Sequence, residues 1–307
     1  MRQVSPSIEA LERISTPENP DSTLDMGAKY EGHNAQQDIE SRWESVSDAL
    51  TPIFAKFGQD IDNLVEIASQ ALKIKVGYLV RGRIGTWTTN IESDKLWIQS
   101  GYETSHPSQS TLIAASLAAL SNENDIPCVS YFCSLQTHNA YETVPSRRCM
   151  LLDMVKSLTA QLLLIYKSTQ PKADISLESF KQLINPELDL KTALTLLRET
   201  RSILPHLTHF LIEGVQELEN RSDIQQTRDL QEVLQEVIDL DQMPALVPTG
   251  SVDYQRGASD STELAHQTFS RQVKVCFASD GYVDALALLV EAGQLEMISN
   301  ENEGEGD

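Results

Sequence analysis

The chain has 307 residues and a mass of 34.1 kDa, enough for one large domain or two small ones. Asp and Glu total 45 against 24 Lys and Arg, a formal charge of −21. That balance argues against nonspecific nucleic-acid binding and against docking on anionic lipid, since both need concentrated basic side chains. With 40% hydrophobic and 22% charged residues, the composition is that of a chain with a sizeable core.

The opening stretch, residues 1–36, is rich in Ser, Pro, Glu and Asn, has no sustained period, and reads as disordered. It has no apolar run of the signal-peptide kind. The longest apolar cluster, Leu162 to Tyr166, is too short to span a bilayer. Cys128, Cys133, Cys149 and Cys276 show no CxxC spacing and read as buried reduced thiols. Together these features give the expectation of a cytoplasmic protein.

A helical period begins at Gln37, with Trp43, Val46, Leu50, Ile53, Phe54 and Phe57 on one face. Gly58 stops it. Asp60 is placed to cap a second helix carrying Ile61, Leu64, Val65, Ala68 and Leu72. The expectation for 37–93 is a helical hairpin and a connector that turns β-rich after Gly77. Leu96 to Gln99 reads as a strand, the span to Gln109 as a polar loop, and Ser110 to Leu120 as a helix buried nearly all round. Ile126 to Cys133 is a continuous apolar strand of the parallel-sheet kind. Pro145 to Lys167 follows as a long helix, then helical segments at Leu177–Ile184 and Leu188–Ile203. His209 to Ile212 is a buried strand and Asp229 to Leu240 a helix. Residues 241–270 lose the pattern and read as a mobile loop. Gln272 to Phe277 is a strand, Val283 to Glu291 a helix, and Leu295 to Ile298 a fifth strand, before an acidic tail at 300–307. Strands alternating with helices predict an α/β fold, a doubly wound and mainly parallel sheet over 94–299.

The order strand, polar loop, buried helix at Leu96 to Leu120 is the setting of a phosphate-binding loop. Leu96-Trp97-Ile98-Gln99-Ser100-Gly101, closing with Gln109-Ser110-Thr111-Leu112, resembles the opening of fungal NACHT-type STAND NTPases. Val129 to Cys133 resembles that family's second strand, and Met150 to Leu164 the helix after it. Phe210-Leu211-Ile212-Glu213-Gly214-Val215-Gln216-Glu217 resembles its Walker B strand, and Val273 to Ser279 its fourth strand. The resemblance implies a P-loop NTPase sheet and a vestigial nucleotide site at Ser108, Gln109, Ser110, Thr111, Glu213 and Glu217.

The chemistry expected of such a site has been removed from it. Gln109 stands where the phosphate-binding Lys belongs, Ser108 replaces Gly, Pro107 lacks an N–H, and Glu103 adds negative charge. Between Ile84 and Ser146 the one Lys or Arg is Lys95, at the wrong end of its strand. Ser110 and Thr111 retain hydroxyls of the metal-binding kind. Glu213, one methylene longer than the family's Asp, is expected to overshoot that geometry, and Asp280 inverts the charge of the family's Arg. The reading is therefore a non-catalytic NACHT-like pseudo-NTPase that works through protein partners. It expects no cofactor, catalytic residue or metal. The alternative is an active or weakly nucleotide-binding P-loop NTPase with an atypical phosphate loop. Elsewhere, His206 and His209 read as structural or solvent-exposed, and His106 and His138 as surface residues. Arg147 and Arg148 read as a solvated face, and Glu217 and Glu219 as a solvated edge.

Overall fold

The computed structural model describes residues 44–45, 47–53, 55, 61–71, 76–103, 105–135, 146–169, 177–201, 207–242 and 272–300. The segment 1–36, nearly all of 241–270, the tail from 301, His138 and His206 lie outside the described residues. Five strands are described: β1 (Asp94–Ser100), β2 (Cys128–Phe132), β3 (Leu207–Glu213), β4 (Gln272–Asp280) and β5 (Glu296–Ser299). They form one all-parallel sheet in the order β2-β3-β4-β1-β5. The strand bearing Glu213 is internal, as the sequence predicts.

Parallel strands need covering on both faces, and the side-chain alternation of each strand supplies two cores. Trp97, Phe210, Ile212, Val275 and Phe277 pack on one side against α5 (Arg147–Thr169), α6 (Leu190–Arg201), α7 (Ile224–Ile238) and α8 (Asp284–Glu291). Leu96, Ile98, Leu211, Cys276 and Ala278 point to the other side. There α4 (Gln109–Glu123) lies on the sheet, with Leu112, Ile113, Ala115 and Leu117 buried. The α/β class is the one expected. The two helices expected as a hairpin, however, serve different faces. Leu50 and Ile53 of the helical residues 47–53 (α1) join the first core, and Leu64 and Ile67 of α2 (Ile61–Ala71) the second.

The connector after Gly77 is helical rather than β-rich: α3 spans Tyr78–Thr89. Two Gly and three Thr make it a poor helix by propensity, and tertiary contacts hold it. Val80 and Trp87 are buried. Arg83 makes a fork onto Asp94 at 2.8 and 2.7 Å and reaches Glu296 at 2.8 Å. At its C-terminus the buried Lys274 of β4 donates to the carbonyls of Trp87 at 2.6 Å and Thr88 at 3.3 Å. A cation there satisfies the last carbonyls and complements the helix dipole. The His209 ring packs against Trp87 at a tilt, centroids 4.9 Å apart, and its Nδ1 lies 2.8 Å from the Ser121 hydroxyl. Burial, then the charge of Lys274, lowers its pKa to about 4. It is a neutral core residue.

α5 runs 23 residues. Over Arg147–Lys167 it is long and apolar enough to cross a membrane, and 72% of the apolar window is buried in this fold. Its Gln161 covers the free edge of β2: the side-chain amide donates to Ser130 O at 2.7 Å and accepts Ser130 N–H at 2.9 Å. An amide in that position takes the place of a neighbouring strand. Cys133 and Cys276 are buried, Cys128 is half-buried, and Cys149, contrary to the expectation for thiols here, is exposed in the first turn of α5.

The turn out of β3 requires glycine. Gly214 sits at φ +78°, and a Cβ there would lie 2.8 Å from Cys133 Cβ. Gly293 also has positive φ, +69°, but faces open space. Gly293→Ala is expected to cost about 1 kcal/mol of backbone strain, and Gly214→Ala at least twice as much. Denaturant unfolding of the two variants measures the difference, which isolates the Cys133 contact; equal losses would show that the neighbour yields freely.

Candidate functional site

In a parallel sheet the strands deliver their C-terminal ends to one edge, where loops and helix N-termini meet. Here β1 ends at Ser100 and β3 at Glu213, and α4 begins beside both. Ser108 caps α4, its Oγ accepting the Thr111 N–H at 3.3 Å. The same Oγ lies 3.0 Å from Ser110 Oγ and 2.9 Å from Thr111 Oγ1. Thr111 Oγ1 donates to Glu213 Oε1 at 2.8 Å. From the other side, the Ser134 hydroxyl donates to Oε2 at 2.8 Å and the Ser134 N–H at 3.3 Å. Ser108, Ser110, Thr111 and Glu213 are thus one network, fully buried at the last three.

The longer arm of Glu213 carries the carboxyl across to α4. Burial raises its pKa to about 7, opposed by the Ser134 and Thr111 hydrogen bonds and assisted by the charge of Asp280. At neutral pH this carboxyl holds a proton for much of the time. Its hydroxyl neighbours suit either protonation state, because each can donate or accept.

The N-terminus of α4, an anion-attracting position, already holds an anion from the chain. Glu103 Oε2 accepts the Gln109 N–H at 2.8 Å and the Ser105 hydroxyl at 3.2 Å. Gln109 therefore meets this network through its backbone. Glu217 is exposed on the 3-10 turn Val215–Glu217 and stands outside it. Lys95 lies at the opposite edge of the sheet, paired with Asp241 at 3.1 Å. A cavity of about 470 Å³ opens at that edge, between Lys95, Asp241, Gln294 and Glu296.

One other expectation is corrected. Glu219 is buried rather than solvated, and its Oε1 accepts the Ala285 N–H at 3.0 Å at the start of α8. Arg147 and Arg148 are both exposed, as expected; Arg147 also donates to the Glu219 carbonyl, and Arg148 lies 3.7 Å from Asp229. His209 is a core residue, the structural one of the two readings given for it, and His106 is exposed as expected. Ser134 was missed. Its signal was its position, the second residue past the end of β2, at the edge where Glu213 ends. Among the described residues no group of three or more His, Cys, Asp or Glu is placed to hold a metal ion. No protein-family model, curated protein or solved structure matches the chain.

Folded Glu213 keeps its proton up to about pH 7, against 4.5 for the ordinary carboxyl. The native state therefore binds more protons in that window. The stability this group contributes is complete below pH 4.5 and is lost as pH rises through 7. Glu213→Gln is permanently neutral. Relative to the parent it is expected to gain stability between about pH 5 and pH 8, by up to about 3 kcal/mol. Thermal unfolding of both proteins across that range checks it; a constant difference would place the ionised form in the fold.

Proposed function

We propose that the chain is a P-loop-type α/β domain, NACHT-like in descent, that has turned its phosphate end inward and acts through protein contacts rather than by nucleotide hydrolysis. The observation that carries this is the pair of internal bonds at α4: Thr111 onto Glu213, and Glu103 onto the Gln109 N–H. The internal position of β3 and the polar loop between β1 and α4 support the P-loop frame. The chemistry of phosphoryl transfer is mostly positioning and electrostatic stabilisation of spread negative charge. The loop offers Glu103 and Gln109, and the end of β4 offers Asp280. A magnesium–nucleotide complex does not fit these residues. Glu213 is half-protonated near neutrality, and the helix N-terminus is filled by a carboxylate.

The alternative, an active or weakly binding NTPase, draws on the proximity of the Thr111 hydroxyl and Glu213. Calorimetric titration with Mg·ATP and a phosphate-release assay decide between the two. The expected result is no heat of binding at millimolar nucleotide and release equal to a protein-free blank. The double variant Glu103→Gln with Gln109→Lys, which empties the helix end and restores the cation, is expected to gain measurable affinity for ATP. Release by the parent chain that is abolished in Glu217→Gln would overturn the non-catalytic reading.

A further inference from the structure

One rung of the sheet carries polar side chains across four strands. Cys128, His209, Lys274 and Asp94 are successive register partners on β2, β3, β4 and β1. Strand alternation puts them on the face of Phe132, Leu211, Cys276 and Leu96, the side on which α4 lies. α3 closes over this rung. Its Trp87 ring packs on His209 with centroids 4.9 Å apart, and Lys274 Nζ lies 5.7 Å from the Trp87 ring while donating to the Trp87 carbonyl at 2.6 Å. Arg83 forks onto Asp94, and the Gly77 N–H at the start of the helix donates to Asn300 Oδ1 at 3.0 Å.

These ties hold a helix with little of its own to stay closed. Of its twelve residues Val80 and Trp87 alone are buried. Gly82 and Gly85 are exposed, and a Cβ at either would meet nothing within 4 Å, so glycine weakens the helix there with no return in packing. Closure also strands two polar atoms, since Trp87 Nε1 and His209 Nε2 are buried without a partner. Both regain water when α3 lifts.

The rung has no place for a second cation beside Lys274. His209 faces Lys274 on β4 and the half-buried thiol of Cys128 on β2, and α4 contributes the uncharged Ser121. The acid of the rung, Asp94, is two strands away and already paired with Arg83. Closed α3 therefore requires a neutral imidazole, whereas an opened one lets water reach the ring and the ring take a proton. We propose that α3 is an acid-released strap: protonation of His209 beside Lys274 opens it from the sheet as a unit while the strands and the other helices stay folded. The device sits at the end of the sheet away from Glu213 and does not depend on how that edge is used.

The test is amide hydrogen exchange of the full chain, read by peptide mass as the protection of α3 and of α7 on the opposite face. About 0.5 M guanidinium is expected to leave the protection of α3 unchanged and to lower that of α7, because a local opening exposes little surface. Between about pH 7.5 and about pH 5 the protection of α3 falls tenfold or more, up to the roughly thirtyfold of a ring that goes from 4 in the closed form to the ordinary 6.5 in the open one. His209→Gln, neutral throughout, abolishes the fall. His209→Phe is a second neutral variant should that one fold poorly, since it keeps a ring on Trp87 while Ser121 retains its bond to the Leu117 carbonyl. Gly82→Ala, on the exposed face, raises the protection of α3 about fivefold at both pH values. Equal denaturant response of α3 and α7 overturns the proposal by showing that the strap opens only with the whole fold. Unchanged protection at the lower pH, or a fall that survives in the neutral variant, overturns His209 as the trigger. Gly82→Ala without effect shows that the helix is not the part that opens, and overturns the strap itself.

Discussion

The buried carboxyl of Glu213 is the point through which the C-terminal edge is held together. It joins the end of β3 to the first turn of α4 through Thr111 and to the segment after β2 through Ser134. A carboxylate taken out of water without partners is costly, so the three donors are a condition of its being there. They in turn fix the neighbours. Thr111 cannot rotate away from Glu213 without stranding it, and Ser108 caps α4 through the same hydroxyl cluster. The sheet places the ends of β1, β3 and β4 side by side. The Glu213 network then decides how α4 sits against them.

A second tie works at the opposite end of the sheet. Lys274, buried in β4, reaches the last carbonyls of α3, and Arg83 on α3 reaches back to Asp94 of β1 and Glu296 of β5. α3 is thereby a brace across three strands. Its sequence, with Gly82, Gly85 and a run of Thr, would not hold a helix in isolation. This is why the connector was illegible beforehand: its conformation is set by residues close to 190 positions away in the chain, and no local period records them. The strands were legible for the opposite reason. Parallel strands buried on both faces are continuous apolar runs, and Val129 to Cys133, Phe210 to Ile212 and Val273 to Phe277 announce themselves as such.

The candidate site divides in the same way. That Ser108, Thr111 and Glu213 would meet followed from strand and helix order, since both motifs end at the same edge. What they do there did not follow. Sequence gives Glu213 one methylene more than Asp, but not that Ser134 waits for it, nor that the carboxyl ends near a pKa of 7. Glu103 was visible as an unwelcome charge in the loop. Its bond to the Gln109 N–H, which makes it an internal substitute for an anion, depends on how the loop closes. Glu219 was misjudged because one of its partners, the Ala285 N–H, comes from 66 residues further along the chain.

The two halves of the edge differ in what they still lack. Around Glu213 each carboxyl oxygen has a donor, and the helix end has its anion, so that half is complete without a ligand and serves the fold. Between β1 and β4 the Ser100 hydroxyl and Asp280 Oδ1 lie opposite one another on a fixed backbone and neither finds a partner. A fold does not gain by stranding buried acceptors. At neutral pH Glu213 is shared between its protonated and ionised forms, and its hydroxyl neighbours, which can donate or accept, serve both. The internal network therefore holds α4 against the sheet in either form, and what separates the two halves of the edge is that one has its polar groups satisfied by the chain and the other does not.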